Sequence, residues 1–185
     1  MSGFDLSAEQ IACFHRDGFI VVDRIIDAPA IACAKARYAA LFAGEFESGL
    51  IPDEVNWRAG VSAPEATRQI CNGWKGDRYI ASIVLEAAIG RACAQLGNWP
   101  GARINQDNLF WKPPGGSAVG FHQDSAYEDW VVPADMVTCW IALDDTTAAG
   151  GTVEYIRGSH RWGSADMIEE FHGPADPPRE MRSAA

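Results

Sequence analysis

The chain has 185 residues, 48% hydrophobic and 22% charged, which fits one domain with its own core and excludes a disordered or fibrous chain. Its net charge of −10 argues against nucleic acid or an anionic membrane as a partner. Contiguous apolar runs such as 18–22 are short, residues 1–10 lack a basic or apolar leader pattern, and the five scattered cysteines form no Cys-x-x-Cys pair, so the expectation is a cytoplasmic protein with buried free thiols.

Ser7 followed three residues later by Gln10 is a capping-box pattern and opens a short helix that Asp17-Gly18 breaks. Phe19-Ile20-Val21-Val22 is aromatic and β-branched, the composition of a buried strand. A second helix is predicted over 28–43, with Pro29 early in its first turn and Gly44 at its end. Residues 45–72 lack periodicity and read as a long loop with short helical pieces. A third helix is predicted over 77–96, with Ile80, Ile83, Val84, Ala87 and Cys93 on its apolar side and Gly97 beyond it.

The pattern then turns to strands. They are predicted over 103–111, 118–124, 136–143 and 152–156, with a Lys112-Pro113-Pro114-Gly115-Gly116 turn after the first. In 136–143, Val137, Cys139, Ile141 and Leu143 alternate with Thr138, Trp140 and Ala142. The order implies a mostly β domain with flanking helices over residues 1–172 and a loose tail over 173–185.

The sharpest chemical feature is His122-Gln123-Asp124. On an extended chain side chains alternate with period 2, so His122 and Asp124 share a face and can reach one ion. This supplies two thirds of a 2-His-1-carboxylate set for non-haem Fe(II). Alone the tripeptide is a weak signal, because His-x-Asp is common by chance.

Its surroundings are more specific. Leu6-Ser7-Ala8-Glu9-Gln10 with Asp17-Gly18-Phe19-Ile20-Val21-Val22, then His122-Gln123-Asp124, then Trp140-Ile141-Ala142-Leu143-Asp144-Asp145, then Gly150-Gly151-Thr152 and Gly158-Ser159-His160-Arg161-Trp162-Gly163 stand in order. Together they resemble the phytanoyl-CoA dioxygenase family of Fe(II)/2-oxoglutarate oxygenases over residues 5–163. The resemblance implies a double-stranded β-helix (a jelly roll, cupin-like), with Fe(II) and 2-oxoglutarate as cofactors. It implies His122 and Asp124 as metal ligands, and Gln106 and Trp140 beside 2-oxoglutarate. The implied reaction couples oxidative decarboxylation of 2-oxoglutarate by dioxygen to hydroxylation of a small organic molecule or acyl-CoA. A carboxylate at Asp124, where halogenating relatives carry a small residue, favours hydroxylation.

His172, 50 residues after His122, is a candidate third ligand, with Arg179 and Arg182 beyond it. The family's distal histidine stands further along and lies on a β-branched strand, so the competing reading of His172 is an ordinary loop residue. On that comparison the barrel is expected to be incomplete at its C-terminus, through truncation or with a second chain supplying strands. The alternative to an enzyme is therefore a non-catalytic remnant or binding module; a cupin-like sugar-modifying or metal-storage barrel ranks third. Asn72 and Trp74, with Arg68 and Lys75, are weaker candidates for facing substrate; the plain alternative is a packed loop. His160 reads as structural and His15 as a surface or satisfied side chain, and the 112–116 turn lacks the Gly-Lys-Ser/Thr ending of a phosphate loop.

Overall fold

A computed structural model describes residues 4–168. His172, Arg179, Arg182 and the 173–185 tail lie outside the described residues.

Helix α1, Ala8–Asp17, starts on the expected capping box: Ser7 Oγ accepts the Gln10 N–H at 3.1 Å, and the Gln10 side chain accepts the Ser7 N–H at 2.8 Å. Gly18 ends it at φ 87°, in the left-handed region that glycine enters without strain. The predicted strand at 19–22 belongs to no ladder among the described residues. Its alternation survives nonetheless. Ile20 and Val22 pack against Leu6, Ala92 and Leu96, while Val21 points to solvent.

Helix α2 spans Ala28–Phe42 and is capped by Asp27, whose carboxylate accepts the Ala30 N–H at 2.8 Å. The 45–72 stretch holds two short strands rather than helical pieces: β1, Glu54–Val55, and β2, Arg68–Cys71. The strand expected over 103–111 is confined to its last four residues, β3, Asn108–Trp111. The three form an antiparallel sheet in the order β1-β2-β3, with Ile70 opposite Leu109. Ile70 and Leu109 face the helices and join Leu41, Phe42, Ile80 and Ile83 in the main core.

The single helix expected over 77–96 is two helices, α3 (Arg78–Val84) and α4 (Ala87–Gly97). Glu86 caps α4, accepting the Ala88 N–H at 3.3 Å, and the break lets each helix serve a different core. Ile80 and Ile83 of α3 pack on the sheet, whereas Ala92 and Leu96 of α4 pack on α1. Residues Arg78–Gly97 together are long and apolar enough by composition for a membrane span, a weak signal that a core helix shares.

Beyond β3, the strands predicted over 118–124, 136–143 and 152–156 run without ladder pairing among the described residues. The observed architecture is a small antiparallel sheet with flanking helices, not a visible jelly roll. Period 2 sets which way side chains point, but a ladder also needs a neighbouring backbone at about 4.8 Å. The orientation is kept: Ile141 and Leu143 pack on the main core and Val137 on the α1–α4 core.

The 158–161 loop ties the two ends of the described chain together. Gly158 N–H donates to Asp17 O at 2.8 Å, Arg161 donates to His15 O at 2.7 Å, and Arg157 pairs with Asp17 at 2.5 Å. His160 thus takes the structural place expected of it, its Nε2 3.3 Å from the His15 backbone O. The 112–116 segment is the expected turn, closed by Gly116 N–H on Pro113 O at 3.0 Å. All five cysteines are free, but none is buried as expected: Cys33 and Cys139 are exposed, and Cys13, Cys71 and Cys93 are half-buried.

Candidate metal centre

His122 and Asp124 leave the extended 118–123 segment on one side, as their spacing requires. His122 Nε2 stands 3.3 Å from Asp124 Oδ1. Each group's outer atom is held. His122 Nδ1 lies 2.8 Å from Gly120 O, which fixes the ring so that Nε2 faces the carboxylate. Asp124 Oδ2 accepts the Thr138 hydroxyl. The Tyr127 ring meets His122 edge-on, with centroids 5.5 Å apart. Hydrogen bonding to Asp124 raises the His122 pKa against the opposing effect of burial, and the same bond lowers that of Asp124.

Gln123 points the other way, and its amide is used at both ends. Nε2 donates to Gly163 O at 2.9 Å, and Oε1 accepts the Ala165 N–H at 2.8 Å. The Tyr127 hydroxyl accepts the Ile168 N–H at 3.1 Å. Gln123, and Tyr127 just after the 3₁₀ turn Asp124–Ala126, therefore hold the 163–168 backbone.

Gln106 is near this centre through a residue that the sequence reading missed. Its Nε2 donates to Glu128 Oε1 at 2.7 Å, and Asn105 donates to Oε2 of the same carboxylate. Burial raises the Glu128 pKa, the Asp124 charge adds to that rise, and the two amides oppose it. Trp140 is 43% exposed, two residues beyond Thr138 on the same extended run. Thr138 was also missed. Period 2 could have flagged it, because Thr138 shares the face of Trp140 in the predicted strand.

The loop candidates divide. Asn72, at φ 56°, gives its Nδ2 to Asp53 at 2.6 Å and accepts the Trp74 indole N–H at 3.1 Å. It lines an open hollow of about 370 Å³ with Asp53, Glu54, Cys71, Asn105, Gln106 and Trp130. Trp74 instead packs against the main core. Lys75 pairs with Asp53 at 2.7 Å. Arg68 is stacked between Trp57 and Trp111, its guanidinium carbon 3.9 and 4.5 Å from the two ring centroids, away from the other three.

The described residues hold no cluster of three or more His, Cys, Asp or Glu side chains placed to bind a metal. What they supply is an imidazole nitrogen and a carboxylate oxygen that converge, each oriented from behind. This suits a divalent ion such as Fe(II).

A family model described as phytanoyl-CoA dioxygenase (PhyH) matches residues 14–184. The chain belongs to the phytanoyl-CoA dioxygenase family. The match takes in the His122/Asp124 pair and the 158–163 loop, and starts inside α1, after the Leu6–Gln10 segment. As a phytanoyl-CoA dioxygenase family member, the chain falls among oxygenases that in general depend on Fe(II) and 2-oxoglutarate. No curated protein and no solved structure matches the chain.

Proposed function

We propose that this phytanoyl-CoA dioxygenase family protein is an Fe(II)/2-oxoglutarate-dependent dioxygenase that hydroxylates a small organic molecule. The observation that carries the reading is the convergence of His122 Nε2 and Asp124 Oδ1 at 3.3 Å, with their outer atoms held by Gly120 and Thr138. When bound, the iron and 2-oxoglutarate supply the activation of dioxygen.

The chain's own residues bind and orient. His122 and Asp124 are the metal ligands, and His122 must give up its proton to serve. Gly120 O holds the imidazole with Nε2 as the coordinating nitrogen. Gln106 and Trp140 are proposed for the 2-oxoglutarate side, Asn72 for the substrate side, and Trp74 as the group that orients Asn72. His172 stays a candidate third ligand. Under this reading the extended 118–123, 136–143 and 152–156 segments are barrel strands, and a second chain is the proposed source of neighbouring strands.

Anaerobic titration of the protein with Fe(II) and 2-oxoglutarate tests the reading. The expected result is a weak visible charge-transfer band, lost in His122→Ala and Asp124→Ala, with succinate formed when air is admitted. No band and no succinate from the wild-type chain would overturn it and leave the second reading, a binding module that keeps the pair without turnover.

A further inference from the structure

The hollow that Gln106 lines carries two carboxylates, three side-chain amides and an indole. One hydrogen of each side-chain amide, and the Trp130 indole N–H, is already given to a neighbouring acceptor. Asn72 Nδ2 reaches Asp53 at 2.6 Å, Gln106 Nε2 reaches Glu128 at 2.7 Å, Asn105 Nδ2 reaches the same Glu128, and the Trp130 indole N–H reaches Asn105 Oδ1 at 3.0 Å. The Cys71 thiol lies 2.9 Å from Asn108 Oδ1.

The acceptors are less occupied. Among the described residues Gln106 Oε1 has no hydrogen-bond donor, and Glu54 has only the Cys71 Sγ contact at 3.7 Å and no cation. The other carboxylate, Asp53, is neutralised by Lys75 at 2.7 Å. One net negative charge and one free carbonyl therefore remain, beside an indole that is 60% exposed. A carboxylate and an aromatic ring lining one hollow favour an organic cation, through the charge and the ring quadrupole. The net negative charge disfavours phosphate and carboxylate groups.

We propose that this hollow binds the cationic ammonium end of a small organic molecule, with Glu54 as counter-ion, Trp130 as aromatic wall and the Gln106 carbonyl as acceptor. As a statement of substrate class this rests on the proposed oxygenase function; as a statement of binding it does not. It also turns the substrate away from acyl-CoA, whose phosphates would meet Glu54.

The test uses the whole chain without added metal, and follows the Trp130 indole N–H resonance, assigned with Trp130→Phe. Choline is the probe. Its neutral isostere 3,3-dimethyl-1-butanol and coenzyme A are the comparisons. Choline is expected to give a saturable shift in the millimolar range, and the two comparisons none. Glu54→Gln is expected to weaken choline binding about three- to fivefold, the scale of a solvent-exposed ion pair, with an unchanged unfolding midpoint. Equal binding of the neutral isostere, full choline affinity in Glu54→Gln, or no saturable choline shift would each overturn the proposal. Choline binding without the Fe(II)–2-oxoglutarate band would keep the hollow and remove the oxygenase, whereas the band without choline binding would do the reverse.

Discussion

Thr138 is the residue whose role can be isolated most cleanly. Its hydroxyl donates to Asp124 Oδ2 and leaves Oδ1 turned toward His122. Groups that orient a metal ligand from behind are worth about 10- to 100-fold in metal affinity. The Asp124 side chain is 40% exposed, so water replaces part of a lost hydroxyl. Thr138→Val is therefore expected to weaken Mn(II) or Co(II) binding about tenfold, the low end of that range, and Thr138→Ser to restore it. Isothermal titration with either ion checks this.

A second prediction at the same scale concerns Asp107. Burial pushes its carboxyl up to about 6, against the Trp74 and Gly73 N–H groups that donate to it. Oδ1 accepts the Trp74 N–H at 3.2 Å, while Oδ2 is buried without a partner. A carboxyl whose folded pKa exceeds its unfolded value binds more protons when folded. Stability should therefore fall as pH rises between about 4 and 6, and stay reduced above that. Two pH units at about 1.4 kcal/mol each bound the loss at about 3 kcal/mol. Asp107→Asn should flatten this slope, gaining on the wild type at pH 7 but not at pH 4, as measured by urea unfolding.

At the scale of elements, Asp77 is the strongest single tie. It is fully buried at the start of α3, accepts the Tyr79 and Ile80 N–H groups at 2.9 Å, and pairs with Arg37 of α2 at 2.5 Å. One side chain thus caps a helix and joins two. Asp77→Ala is expected to cost about 3–4 kcal/mol, from a lost cap of about 1 kcal/mol and a broken buried pair. Asp77→Asn keeps a capping oxygen and should cost less, so the difference in chemical-denaturation midpoints between the two variants reports the ion pair. The Ser7 cap was legible in the sequence, as were helix starts near 28 and 77, while the caps at Asp27 and Asp77 came from the structure. The break at Leu85–Glu86 was not legible. The apolar positions run on through it, and it occurs because Ile83 and Leu96 belong to different cores.

At the scale of the whole molecule, the 158–161 loop closes on the C-terminus of α1. A Cβ at Gly18 would run into His160 Nδ1, and φ 87° is itself costly for any side chain. Gly18→Ala is expected to lose about 2–3 kcal/mol in the wild type but only about 1 kcal/mol in a His160→Ala background, where the backbone cost alone remains. A double-mutant cycle of thermal midpoints measures the difference.

What the sequence determined by itself was local. The period-2 placement of His122 and Asp124 on one side and Gln123 on the other was readable from spacing, as was the Ser7 cap, because each depends on residues within a turn or two. The family was readable from motifs in order, and the match over residues 14–184 shows it. The tertiary structure decided which extended segments pair, since a ladder needs a partner backbone that no local pattern specifies. It also decided that Thr138 and Glu128 stand behind the site residues, and that Glu54 lines the hollow without a cation partner among the described residues. Those properties depend on which distant groups meet, and only the fold brings them together.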